Sequence, residues 1–150
     1  MNLKRRQIIR GGIAAAAAAL LPQSLWAAVW PQKAFESKKI ADTISSLTGG
    51  AAVSEDGRIA IKAPEIAENG AVVPVGVSAD MDNVQTIAIL VDNNPLPLTS
   101  SYELQGASSP EVSTRIKMLK TSDVIALVKA DGKYYSASKN VKVTIGGCGG

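Results

Sequence analysis

Apolar and polar residues alternate in short runs along most of the chain, which is the pattern that half-buried β-strands produce. Glycine, proline, asparagine and aspartate separate these runs roughly every 8–12 residues. The predicted strands are 58–63, 71–78, 84–92, 100–104, 112–119, 123–129, 133–138 and 141–145. Helices do not alternate with these strands, so a parallel sheet is not expected. The pattern predicts a mainly β fold, an antiparallel immunoglobulin-like β-sandwich.

Three local signals refine this prediction. Ala130-Asp131-Gly132 lies between two predicted strands and is typical of a tight β-hairpin. Asn93-Asn94-Pro95 ends the most apolar strand of the chain. Pro74 lacks a backbone N–H, so we expect its strand at a sheet edge or at a bulge.

A helical pattern precedes the strands. Its apolar residues recur with the spacing of one helix face: Phe35, Ile40, Ile44 and Leu47. The spacing predicts one helix over 31–47, which Gly49-Gly50 ends. We expect this N-terminal helix to pack on the edge of the domain or on a partner.

The first 27 residues have the composition of an export signal. Lys4–Arg10 combines adjacent arginines with apolar residues, as twin-arginine (Tat) signals do. The alanine-rich stretch that follows is too short to span a bilayer, which takes about 20 apolar residues. Ala27 offers a small residue at a cleavage site. We therefore expect a Tat-type signal peptide at 1–27, a helix plus β-sandwich domain at 28–145, an arm at 146–150, and a periplasmic location.

The composition excludes several classes of function. The chain has 150 residues, no histidine and one cysteine, which removes Ser-His and Cys-His catalytic pairs, imidazole metal sites, zinc ribbons and iron–sulfur clusters. The net charge is +3, but four of the 16 basic residues lie in the first ten positions, leaving 12 basic against 13 acidic residues. We expect no metal, cofactor, nucleic acid or membrane among the ligands of the exported protein.

The C-terminus carries the candidate chemistry. The sole cysteine, Cys148, lies between Gly146, Gly147, Gly149 and Gly150. Because glycine has no Cβ and many accessible conformations, such a segment is costly to order. It predicts a flexible arm, slender enough to enter a narrow active-site channel. No neighbouring residue is placed to activate the thiol, so we expect a substrate carrier without catalysis of its own.

These features together resemble the SoxY family, the sulfur-compound carriers of the Sox thiosulfate-oxidation system. The resemblance is carried by the Tat-like Lys4–Arg10, the helix followed by strands, the segment Ile66–Val77, and above all Gly146-Gly147-Cys148-Gly149-Gly150. It implies that Cys148 holds pathway intermediates covalently while the glycine arm swings them between enzymes. Holding an intermediate covalently prevents its diffusive loss and raises its local concentration.

The resemblance also implies partners. A SoxZ-like β-sandwich subunit forms a heterodimer with the carrier and is exported with it. A c-type cytochrome joins thiosulfate oxidatively to Cys148, and a hydrolase releases sulfate from the adduct. Where it is present, a molybdenum–haem dehydrogenase oxidises the sulfane that remains. For the subunit interface, the sequence offers only the apolar segment Val84–Val91 as a candidate.

Two other functions fit parts of the sequence. An exported interaction module would form an inter-chain disulfide through Cys148, because unpaired cysteines are uncommon in oxidising compartments. A ubiquitin-like thiocarboxylate carrier would react at the carboxyl group of Gly150, but the export signal and the strand-rich pattern argue against it. A hydrolase has no support, because Asp80 and Asp82, or Glu55 and Asp56, have the setting of solvated turn residues.

Overall fold

The structure is a computed structural model that describes residues 31–104 and 109–144. The predicted signal peptide at 1–27 and the predicted arm at 146–150 lie outside the described residues. Two short helices come first, α1 (Gln32–Glu36) and α2 (Ile40–Thr48). The strands that follow are β1 (Val53–Glu55), β2 (Ile59–Lys62), β3 (Ile66–Ala67), β4 (Val73–Ala79), β5 (Val84–Val91), β6 (Leu98–Glu103), β7 (Glu111–Ile116), β8 (Ser122–Ala130) and β9 (Lys133–Val143).

These strands form two sheets. The larger sheet has the order β1-β9-β8-β5-β6, and β3 also pairs with β9. The smaller sheet has the order β2-β4-β7 and is antiparallel throughout. The pairs β5–β6, β5–β8 and β8–β9 are antiparallel, whereas the short strands β1 and β3 run parallel to β9. The predicted mainly β, antiparallel fold is confirmed, with β1 and β3 as the two parallel additions to the larger sheet.

The main core lies between the two sheets. On β4, Val73, Val75 and Val77 are fully buried and alternate with more exposed residues. They pack in one cluster with Ile87 and Ile89 of the larger sheet. Burying a side chain of this size contributes about 1.5–3 kcal/mol. The period-two alternation of β4 therefore fixes which face of the smaller sheet is buried.

The other face of the larger sheet is covered by the two helices. Leu90 and Leu127 point to this side and form a second buried cluster. The predicted helical stripe packs against it: Phe35, Ile40, Ile44 and Leu47. The helical segment was expected on the edge of the domain or on a partner, and it lies on a face of the larger sheet. The proposal of Val84–Val91 as an exposed interface is wrong, because Ile87–Val91 is buried between these two layers.

The predicted single helix is interrupted at Ser37. The backbone of Ser37 is extended, with φ −67° and ψ 137°, and its hydroxyl donates to the carbonyl of Lys33 at 2.8 Å. A serine side chain that bonds to the preceding turn competes with helix continuation. The predicted stop is confirmed, since Gly49 has the left-handed φ of 64° and the N–H of Gly50 donates to Ser45.

The prediction that Pro74 places its strand at a sheet edge is wrong for the strand as a whole. β4 is the central strand of the smaller sheet. However, β2 ends at Lys62, which lies opposite Gly76, while Pro74 is paired only with Arg115 of β7. The proline thus occupies the part of β4 that has a neighbouring strand on one side only. The lack of an N–H at this position therefore costs no hydrogen bond between strands.

The last predicted hairpin is confirmed, and its second strand is longer than predicted. Ala130 pairs with Lys133, so the turn consists of Asp131 and Gly132. Both have positive φ, 49° and 73°, as a type I′ turn requires. The two strands predicted at 133–138 and 141–145 form the single strand β9, because β8 pairs with it continuously from Lys133 to Val141.

Candidate functional site at the end of the last strand

The sequence-predicted site residues, Cys148 with Gly146, Gly147, Gly149 and Gly150, lie outside the described residues. The structure describes the part of the protein from which they extend. Thr144, the last described residue, directly follows β9. The geometry of this base determines where the reactive cysteine can be presented.

Backbone hydrogen bonds hold the end of β9 from the β3 side. The N–H of Lys142 donates to the carbonyl of Glu65 at 2.9 Å, and the N–H of Thr144 donates to Ala67 at 3.1 Å. β3 is therefore a two-residue parallel strand whose partner is the end of β9. The chain is fixed up to Thr144, four residues before Cys148.

A loop on the other side also contacts the end of β9. The N–H of Val143 donates to the hydroxyl of Thr121 at 3.0 Å, and Val141 is fully buried beside β8. Thr121 comes directly before β8 and is exposed. The end of β9 is thus held between the 64–72 segment and the 117–121 segment.

Gly70 permits these two segments to approach closely. The N–H of Met118 donates to the carbonyl of Gly70 at 2.7 Å. A Cβ at Gly70 would overlap the carbonyl oxygen of Met118 and would lie 2.8 Å from Cγ1 of Val143. Only glycine fits this position without a shift of the backbone, so the base of the arm depends on it.

Two asparagines link the β5–β6 connection to the same assembly. Asn94 donates from its amide to the carbonyl of Lys117 at 2.7 Å and accepts the N–H of Leu119 at 3.2 Å. The N–H of Asn93 donates to the hydroxyl of Ser122 at 2.9 Å. The predicted break at 93–95 is therefore confirmed. Its asparagines also connect neighbouring loops, which the sequence pattern did not indicate.

Exposed apolar side chains gather at this end of the sandwich. Among the described residues, the large hydrophobic side chains that are exposed are Ile66 (56%), Val72 (50%), Leu96 (49%) and Leu119 (54%). Each belongs to one of the three segments that form the base of the arm. Sequence reasoning missed this feature. Val72 and Leu119 fall at the ends of the predicted strands 71–78 and 112–119, so the sequence pattern did not indicate their exposure.

The charges around the base are of both signs. Lys117, Lys120 and Lys142 are exposed, as are Glu65 and Glu68. No group of three or more histidine, cysteine, aspartate or glutamate residues that could hold a metal ion occurs in the described ranges. Within 31–104 and 109–144, no helix is long and apolar enough to cross a membrane.

Comparison with known proteins identifies the family. The family described as "Sulfur oxidation protein SoxY" matches residues 44–148. A solved structure, the sulfur carrier protein SoxY from Chlorobium limicola f thiosulfatophilum, is 42% identical and superposes with a TM-score of 0.66. The alignment covers 71% of this chain and 97% of that one. The chain belongs to the SoxY family.

Other similarities are more distant. The reeler domain of human F-spondin is 10% identical over 63% of this chain and 95% of that one, with a TM-score of 0.42. A chain from the structure describing T cell specificity and activation by toxic shock syndrome toxin-1 is 14% identical over 57% and 99%, with a TM-score of 0.39. A search of curated proteins found no match. The match to the SoxY family extends from α2 to Cys148, so it includes both the described base and the cysteine.

Proposed function

We propose that this protein is a periplasmic sulfur carrier of the Sox system that holds thiosulfate-derived intermediates on Cys148. The observation that carries the proposal is membership in the SoxY family, because the family match runs to Cys148. In addition, a solved SoxY sulfur carrier protein is 42% identical to this chain. The fixed end of β9 supports it, because a mobile arm needs a rigid point of attachment. The expectation of a flexible arm rests on the glycines that lie on both sides of the only cysteine.

The proposed chemistry begins with the thiolate of Cys148 and one thiosulfate ion. An S–S bond forms between them, giving Cys148-S-S-SO3⁻, and two electrons leave to the c-type cytochrome. Water then cleaves the bond to the sulfonate sulfur, releasing sulfate and two protons and leaving a persulfide on Cys148. Thiolates are the nucleophiles in S–S bond formation, and a persulfide is a reversible modification of cysteine.

Where a molybdenum–haem dehydrogenase is present, it oxidises the persulfide to Cys148-S-SO3⁻. Three water molecules supply the oxygen atoms, and six electrons and six protons are released. A further hydrolysis releases sulfate and regenerates the thiol. The protein itself supplies the thiol and its delivery and catalyses none of these steps. Membership in the SoxY family implies a complex with partner subunits of the Sox system, and we propose a SoxZ-like subunit as the stable one.

Intact-mass spectrometry of the protein from thiosulfate-grown native cells tests the proposal. We expect an added mass of thiosulfate or sulfane sulfur on Cys148 that reductant removes, and no such mass in Cys148→Ser. A bare thiol under every condition, or a stable inter-chain disulfide, would contradict the carrier function and favour the interaction module. The measured N-terminus, together with fractionation of the cells, tests the signal peptide at 1–27 and the periplasmic location.

A further inference from the structure

The segment between β3 and β4 contains the only Asn-Gly pair of the chain, Asn69-Gly70. The fold requires the glycine, because a Cβ at this position would overlap the carbonyl oxygen of Met118. Without a side chain, residue 70 leaves its own N–H and the preceding carboxamide of Asn69 unshielded. Asparagine is among the chemically labile residues of proteins, and in this setting the next backbone nitrogen can reach its side chain.

Hydrogen bonds fold the side chain of Asn69 over the backbone that follows it. The N–H of Val72 donates to the backbone carbonyl of Asn69 at 3.3 Å, and the N–H of Ala71 donates to its side-chain Oδ1 at 2.9 Å. Asparagine is favoured at the start of such turns because its side chain can bond to the backbone two residues on. The second bond keeps the carboxamide beside the peptide of Gly70. It also withdraws electron density from the carboxamide carbon, which makes that carbon more electrophilic.

The groups that take part in deamidation are not engaged elsewhere. The side chain of Asn69 is exposed. Within 31–104 and 109–144, neither its amide nitrogen nor the N–H of Gly70 donates to a protein acceptor. An N–H without an acceptor can lose its proton to hydroxide from solvent, and this loss turns the nitrogen of Gly70 into a nucleophile.

Two other asparagines of the described chain have the opposite setting. Asn83 and Asn140 each precede a valine, whose branched side chain crowds the next N–H. The amide nitrogen of Asn83 donates to Asp131 at 2.8 Å, and that of Asn140 donates to Asp123 at 2.7 Å. The tertiary structure thus restrains these two carboxamides and leaves that of Asn69 reactive.

We propose that Asn69 is a site of spontaneous deamidation through a succinimide formed with Gly70. The nitrogen of Gly70 attacks the carboxamide carbon, an N–C bond forms, and ammonia leaves. Water then opens the five-membered ring. Cleavage of the bond to the side-chain carbonyl gives aspartate, and cleavage of the bond to the backbone carbonyl gives isoaspartate. Neither step changes an oxidation state or involves Cys148, so this site is separate from the proposed carrier chemistry.

The two products have different consequences for the end of β9. Aspartate keeps an oxygen that can accept the N–H of Ala71, so the turn is retained. Isoaspartate adds one carbon to the main chain directly before Gly70, whose carbonyl accepts the N–H of Met118 at 2.7 Å and which packs against Val143. The inserted carbon displaces this close contact, so we expect isoaspartate to loosen the end of β9.

The test ages the protein, purified from native cells with any bound partner subunit, in mildly alkaline buffer. A digest analysed by mass spectrometry reports the mass gain of about one dalton that replaces an amide by an acid. We expect Asn69 to convert on the order of tenfold faster than Asn83 and Asn140, the controls within the same digest. Both aspartate and isoaspartate should form, and electron-transfer fragmentation distinguishes them. Asn69→Gln retains a carboxamide but does not form the five-membered ring, so it should gain no mass at this position.

The second measurement is amide exchange of the separated aged forms. The amides of Met118 and Val143 should exchange faster in the isoaspartate form than in the wild type, and at the wild-type rate in Asn69→Asp. Equal conversion of Asn69, Asn83 and Asn140, or conversion to aspartate alone, would overturn the succinimide site. Unchanged exchange in the isoaspartate form would overturn its effect on the end of β9. None of these results alters the test of the carrier function, which depends on the mass carried by Cys148.

Discussion

Different interactions close the two ends of the sandwich. The arm end is the one at which β9 ends, and the turn end is the opposite one, at the Asp131–Gly132 hairpin. At the turn end, Asp131 and Gly132 form a two-residue hairpin, and Asp56 bonds to Arg58 two residues away. At the arm end, the bonds join residues distant in sequence, such as Thr121 with Val143 and Asn94 with Lys117. The turn end thus combines turns encoded by neighbouring residues with distant bonds such as that from Asn83 to Asp131, whereas the bonds that hold the end of β9 all join distant segments.

The two ends also differ in what they expose. Asp80, Asp82 and Asp131 are exposed at the turn end, as expected for solvated turn residues. The exposed Ile66, Val72 and Leu119 lie at the arm end. The arm end also exposes charges of both signs, including Lys142 and Glu68. Among the described residues, the exposed large apolar side chains are thus concentrated at the arm end.

The largest effect on folding is expected from Gly70→Ala at the arm end. The added methyl group would overlap a backbone carbonyl, which cannot rotate away, so we expect a loss of about 1–3 kcal/mol in the free energy of unfolding. Gly57→Ala is the matched control at the turn end, since nothing lies within 4 Å of a Cβ there. Urea unfolding of both variants measures the difference. Equal stabilities would show that the close approach of Gly70 to Met118 is unimportant.

A similar but slightly smaller loss is expected from Gly132→Ala. Gly132 has a φ of 73°, a conformation that costs an L-residue about 1–2 kcal/mol. Asparagine tolerates this conformation better, so Gly132→Asn should retain more stability in the same urea titration. Because this turn is far from the arm, adduct formation on Cys148 should stay at the wild-type rate. A slower rate would mean that the two ends are coupled.

Thr121→Val should loosen the end of β9 specifically. The substitution removes the hydroxyl that accepts the N–H of Val143, and a hydrogen bond of this kind contributes about 1 kcal/mol. Amide exchange of Val143 should become faster, while amides near the Asp131–Gly132 turn should be unaffected. Thr121→Ser keeps the hydroxyl and should exchange like the wild type. Slow exchange in both variants would argue that β3 alone holds this end.

The smallest effect is expected from Arg58→Gln at the turn end. Hydrogen bonds from the Arg58 side chain lower the pKa of Asp56 from its ordinary value of 3.8 to about 2. Because the pKa in the folded state is below that of the unfolded state, the pair stabilises the fold above about pH 3.8, and this contribution disappears as the pH falls toward 2. In the variant, NMR titration should give an Asp56 pKa closer to 3.8. An unchanged pKa would exclude Arg58 as the cause.

The sequence by itself determined the features that depend on neighbouring residues. Apolar, β-branched runs bounded by turn residues located β4 and β5, and the Asp131-Gly132 pair located the last hairpin, because strand preference and turn conformation are properties of a few consecutive residues. The position of the only cysteine among glycines also pointed to Cys148, which stays a prediction because it lies outside the described residues.

Only the tertiary structure decided the features that depend on distant partners. β1 and β3 are two or three residues long, too short to carry a periodic pattern, and they exist because β9 offers backbone partners. Pro74 could enter a central strand because β2 stops short of it. Ile66, Val72 and Leu119 lie at the same end of the sandwich because the 64–72 and 117–121 segments meet at the end of β9. Hydrogen bonds between distant segments set these outcomes, and no local stretch of sequence specifies them.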